Sequence, residues 1–120
     1  MLGYKLFGAG LTTLAVEAMK DVATGLTATG STQAGAYEVT YAKNGFSTVA
    51  LGTGAVLDSD AAPGDSQVIY NGGANVLRVY PPSGAAINNL AADAAVLIAR
   101  NTACEFFCLT TTTWTANLSA

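Results

Sequence analysis

The stretch that most constrains this chain is QVIYNGGANVLRVYPPSGAAI, residues 67–87. Residues 67–70 and 76–80 are rich in Val, Ile, Leu and Tyr, side chains that suit a pleated, half-buried strand. Between them lies Asn71-Gly72-Gly73-Ala74-Asn75, a connection loaded with residues that tolerate positive φ. Two such runs joined in this way read as a hairpin. Pro81-Pro82 closes the second strand, because neither proline can donate to a ladder. The segment predicts a compact β domain with this hairpin at its centre.

Short strands and glycine-rich turns recur on both sides of it. Residues 36–42 set Tyr37, Val39 and Tyr41 against Glu38 and Thr40, and Lys43-Asn44-Gly45 carries an Asn-Gly hairpin signal. Further brief strands are expected at 46–51, 55–57, 85–90, 94–99, 103–109 and 114–118. This regular spacing predicts a sandwich or barrel and not a repeat solenoid. The expected fold is mainly β: a β-sandwich or jelly-roll-like domain of about eight short antiparallel strands over residues 26–120.

Residues 1–25 read differently, as an N-terminal arm and one short helix. Three glycines among the first ten residues oppose a stable helix there, while Leu2, Tyr4, Leu6 and Phe7 need a surface to lie on. Leu11, Leu14, Ala15, Ala18, Met19 and Val22 then follow helical spacing, with Gly25 as the stop. A helix is predicted within residues 11–24. No signal peptide is expected, since Gly8 and Gly10 interrupt the apolar run and Glu17 and Lys20 follow it.

Charge is scarce: 5 Lys or Arg face 8 Asp or Glu in 120 residues, and 51% of residues are hydrophobic. Free globular domains carry about a quarter charged residues, so this surface suits a protein packed against copies of itself or a partner. No basic cluster exists to displace counterions from nucleic acid, and no apolar run reaches the length of a membrane-spanning helix. Neither nucleic acid nor membrane is an expected partner.

Reactive groups are few. Without histidine, the usual general base and metal ligand are both missing, and a Ser-His-Asp triad is impossible. Asp58, Asp60 and Asp65 offer oxygens of the kind calcium takes, but Asp, Ser, Pro and Gly are also what solvated turns contain. Cys104 and Cys108 stand four apart, about 13 Å along a strand, which is too far for a disulfide. Phe106, Phe107 and Leu109 beside them predict buried core thiols, and Trp114 is likewise expected in the core. No catalytic residue, metal or cofactor is assigned.

GLTATGSTQAGA at residues 25–36 and VIYNGGANVLRVYPPSGAAINNLAADAAVLIARNTACEFFCLTTTTW at 68–114 together carry a resemblance. The Asn-Gly-Gly-Ala-Asn turn, the Val-Tyr-Pro strand end, the Ile-Asn-Asn-Leu-Ala turn and the closing Trp strand resemble small structural proteins of tailed bacteriophages. Within that group the likeness is to capsid cement, or decoration, proteins, which are sandwich or jelly-roll modules on the outer shell. It implies a virion protein, made in the host cytoplasm, whose partners are the major capsid protein and further copies of itself as a dimer or trimer. The first 24 residues lie outside the likeness. Leu2, Tyr4, Leu6, Phe7, Leu11 and Leu14 are the expected capsid or subunit contacts, since binding of this kind needs apolar area and no catalytic group. The alternative is a head-fibre or tail-appendage module that binds a host-surface glycan.

Overall fold

The computed structural model describes residues 21–118. Ten strands occur there: β1 (Val22–Thr27), β2 (Tyr37–Glu38), β3 (Lys43–Thr48), β4 (Gly54–Val56), β5 (Ser66–Asn71), β6 (Leu77–Tyr80), β7 (Ala86–Ile87), β8 (Val96–Ile98), β9 (Thr102–Thr110) and β10 (Thr113–Leu118). They form a six-stranded sheet in the order β1-β3-β5-β9-β10-β7 and a four-stranded sheet in the order β2-β4-β6-β8. The protein is mainly β, as the sequence predicts.

The connectivity departs from that prediction. From β1 to β6 the chain alternates between the sheets, and each strand lies parallel to the one laid down a coil earlier. Residues 22–80 therefore wind as three stacked coils, a short β-solenoid. The chain then reverses. β8 runs antiparallel to β6 and β9 antiparallel to β5, so the last coil is covered in both sheets, and β10 follows β9 as an antiparallel neighbour. An all-antiparallel sandwich is thus corrected to parallel coils with an antiparallel cap. Uneven coils explain why the repeat is hard to read: Val22 aligns with Lys43, and Lys43 with the more distant Val68.

The expected hairpin of residues 67–80 is the clearest correction. β5 and β6 belong to different sheets, and Asn71–Asn75 forms the corner between them. A corner inside a stack buries backbone groups that neither ladder satisfies, and these require side-chain partners. Asn71 supplies them. It is fully buried, donates to the carbonyls of Asn75 at 2.8 Å and Ile98 at 2.9 Å, and accepts from the Gly73 amide at 2.9 Å. Asn75 reaches down one coil to the Val49 carbonyl at 2.9 Å. Gly73 lies so close to Val49 that a Cβ there would stand 2.7 Å from its side chain and backbone nitrogen. The Asn-Gly composition is a true turn signal, but it builds a bend between sheets.

The Asn44-Gly45 signal is overridden altogether, since both residues lie inside β3. Asn44 faces inward between Ala23 and Ile69 of the flanking strands, and its amide donates to the Tyr41 carbonyl at 2.8 Å. Residues 22–24 of the predicted helix are strand, Asp21 directly precedes that strand, and residues 11–20 lie outside the described residues. β1 also spans the expected domain boundary after residue 25, with Gly25 at φ +68° where the register against β3 shifts.

Between the sheets the core is apolar. Phe46, Ile69, Phe106 and Trp114 come from the larger sheet, and Ala55, Leu77, Val79 and Ile98 from the smaller, all buried. Each large side chain removed from water contributes roughly 1.5–3 kcal/mol. Val39 is buried while Tyr37 and Tyr41 are exposed, so the expected alternation of residues 36–42 survives only in part.

Replacing Asn71 by Ala will leave the Gly73 amide and two carbonyls without their partner, and should destabilise the fold by about 3 kcal/mol. Asn75→Ala loses one part-buried bond and should cost about 1 kcal/mol. Urea unfolding of the two variants checks the order, and equal losses would refute the corner's dependence on Asn71.

Candidate interaction surfaces

The residues expected to make contacts, Leu2, Tyr4, Leu6, Phe7, Leu11 and Leu14, all lie outside the described residues. What the structure does present is the outward side of each sheet.

On the larger sheet, strand alternation turns Val68, Tyr70, Phe107 and Leu109 outward, because Gln67, Ile69, Asn71, Phe106 and Cys108 point in. In β3, β5 and β9 the only charged residues are Lys43 and Glu105, which flank Val68 on either side in one cross-strand row. Leu109 remains 56% exposed. Beside this face, Thr24, Gly45, Ser47, Tyr70 and Gly72 line a shallow hollow of about 350 Å³. The Tyr70 hydroxyl donates to the Asn101 side-chain oxygen at 3.4 Å, leaving an exposed ring with an amide at its tip.

The smaller sheet exposes Leu97 from β8, with Val76 just before β6 and Leu51 from the corner below. Leu51 is 85% exposed, although the sequence suggests a strand there. Together with Arg78, Tyr80 and Ala95 they border a hollow of about 450 Å³. The only sequence signal for this patch is the run AAVLIA at residues 94–99, which contains no charge, glycine or proline.

The acidic loop is engaged in its own turn. Asp58 accepts from the Asp60 amide at 2.9 Å, and Asp65 accepts from the Ala62 amide at 2.9 Å. Asp21 and Tyr41 join Asp58 and Asp65 around a hollow of about 210 Å³. Among the described residues, no three His, Cys, Asp or Glu side chains are grouped to hold a metal ion. Asp93 has a separate structural use. The Gly84 amide and the Gln33 side chain donate to its Oδ1, and these bonds hold its carboxyl below the ordinary range.

Cys104 and Cys108 are free thiols buried on the inward side of β9, and Trp114 is buried beside Cys108 in the ladder. Burial pushes the Cys104 thiol up to about 11, and the Glu105 carboxylate adds to the rise. Cys108 is raised by burial and then by Asp65. Neither thiol is placed for nucleophilic chemistry, which requires a stabilised thiolate.

No family model, curated protein or solved structure matches the chain.

The Cys104 shift sets a pH dependence. The folded thiol keeps its proton where the unfolded one has lost it, so this contribution is complete below the unfolded value and lost as pH rises. Stability should therefore fall between pH 9 and about 11. Cys104→Ala should flatten that decline in urea titrations at several pH values, and an unchanged slope would show that Cys104 does not cause it.

Proposed function

We propose that this chain is a structural protein of a bacteriophage virion, a capsid cement or decoration protein. It binds the assembled lattice of the major capsid protein and stabilises the head. The observation that carries the reading is the outward side of the larger sheet, where Val68, Tyr70, Phe107 and Leu109 form an apolar face with charge confined to Lys43 and Glu105 across its three central strands. Such a face suits a surface covered by a partner. The sequence resemblance to phage cement modules supplies the partner's identity. The coiled two-sheet core would then serve as the implied jelly-roll sandwich does, as a stiff support with contacts on its outside.

A cement protein acts by mass action. It binds the closed lattice in preference to free subunits, so it stabilises the shell in proportion to its occupancy. That requires area and complementarity and no reacting group. In this reading Leu2, Tyr4, Leu6, Phe7, Leu11 and Leu14 extend the contact as an arm laid on the capsid or a sister subunit. The protein resides on the capsid surface after synthesis in the host cytoplasm, and needs no cofactor.

One observation favours the second reading, a fibre or appendage module that binds a host glycan. Tyr70 offers an exposed ring beside the Asn101 amide, a pairing that can stack on a sugar and bond its hydroxyls. Binding of purified protein to host cells in the absence of any capsid would decide for it.

Deleting residues 1–10 should leave a folded β domain, judged by circular dichroism, that no longer co-sediments with shells lacking this protein. Decoration equal to that of the intact chain would remove the arm from the proposal. Failure of the intact chain to bind shells would remove the proposal itself.

A further inference from the structure

Among the described residues, β8 is one of the two end strands of the smaller sheet. Arg78 and Tyr80 of β6 direct their backbone groups toward the coil below, since the Arg78 amide donates to the Thr53 carbonyl and the Tyr80 carbonyl accepts from Leu57. Leu77 and Val79 therefore face β8, where they lie opposite Ile98 and Val96. Between those two, Leu97 must turn its own N–H and C=O the other way, out from the sheet. β8 is the last strand of that sheet, so among the described residues these groups meet no further strand.

An edge like this is normally blunted by lysine, proline, a bulge or a covering loop. Residues 94–99 contain neither charge nor proline, and they border the hollow of Leu51, Val76, Tyr80 and Leu97, whose one charged lining residue is Arg78. We infer that β8 is a dimerisation edge, which pairs antiparallel with β8 of a second copy about a two-fold axis through Leu97.

The register follows from the symmetry. Leu97 exchanges two hydrogen bonds with Leu97 of the partner subunit, Val96 faces Ile98 of the partner subunit, and Ala95 faces Ala99 of the partner subunit. No like charges oppose one another. Asp93 and Arg100 lie in the turns that flank β8, outside this ladder, and the Asp93 carboxylate is held within its own chain by the Gly84 amide and Gln33. The ladder is short, because the Ala99 carbonyl is already held by the Thr102 amide and hydroxyl. Apolar contact must supply the rest, and Leu97, 59% exposed, meets its own copy at the axis. Such an interface closes as a dimer and cannot generate a trimer. The dimer stands independently of the capsid reading, since it concerns the chain in free solution.

Sedimentation of the full chain tests the oligomeric state, and Leu97→Cys tests the axis. Opposed residues in a hydrogen-bonded antiparallel pair have Cα atoms about 5.5 Å apart, within disulfide range. Cys104 and Cys108 are buried, so a new thiol is the one open to mild oxidation. The expected result is a dimer that Leu97→Cys converts to a covalent one, while Leu109→Cys on the opposite sheet gives none. Leu97→Lys should weaken dimerisation at least about tenfold with an unchanged circular dichroism spectrum. A monomer or trimer at about 100 μM, a Leu97→Cys protein that does not cross-link, or a Leu97→Lys protein that dimerises normally would each overturn the inference.

Discussion

The coiled core depends on two buried amides at opposite ends of β5. Asn71 satisfies the corner that leads into the smaller sheet, and Gln67 satisfies the one on the other side. The Gln67 side chain accepts from the Asp58 amide and donates to the carbonyls of Val39 and Tyr41, each at 3.0 Å. Ile69, between them, is fully buried. One strand thus combines an apolar centre with a polar latch at each end. Parallel coils must turn twice in every circuit, and each turn withdraws backbone groups from both ladders and from water. Leaving one of these unpaired costs roughly 1–3 kcal/mol, comparable to a well-buried side chain.

Much of the strand content was legible in the sequence, because Val, Ile and aromatic runs bounded by Gly, Asn and Pro mark strands whatever they pair with. Most strands fall where those runs predict, as at Ser66–Asn71, Leu77–Tyr80 and Thr102–Thr110. The buried cysteines follow from their apolar neighbours, and Trp114 from the usual burial of tryptophan. Pairing was the illegible part. Asn71-Gly72-Gly73 has the same composition in a hairpin as in a corner, and only the Ile98 and Val49 carbonyls, both distant in sequence, distinguish the two. Asn44-Gly45 misled for the related reason that tertiary partners outweigh local turn preference. Coils of unequal length hide the repeat that would have announced a solenoid.

The outer surfaces were less legible still. Leu51 and Leu97 stand exposed on the smaller sheet, yet in sequence they look like strand-core residues. Which leucine faces out is set by the side of the sheet that the chain occupies after each corner. The scarcity of charge, in contrast, was visible from composition, and it agrees with broad faces on which Lys43 and Glu105 are isolated. The proposed binding to other protein draws on both of these features.

The order of the chain gives the antiparallel cap a consequence for folding. Residues 22–80 complete all three coils before β8 and β9 exist to cover them. During synthesis, which proceeds from the N-terminus at roughly 5–20 residues per second, β5 and β6 are for a time the open end of a growing stack. An unpaired end of this kind can template a strand from a neighbouring nascent chain, in competition with the tethered strands of its own. Once β8 and β9 dock on β6 and β5, that end of the stack is closed within one molecule.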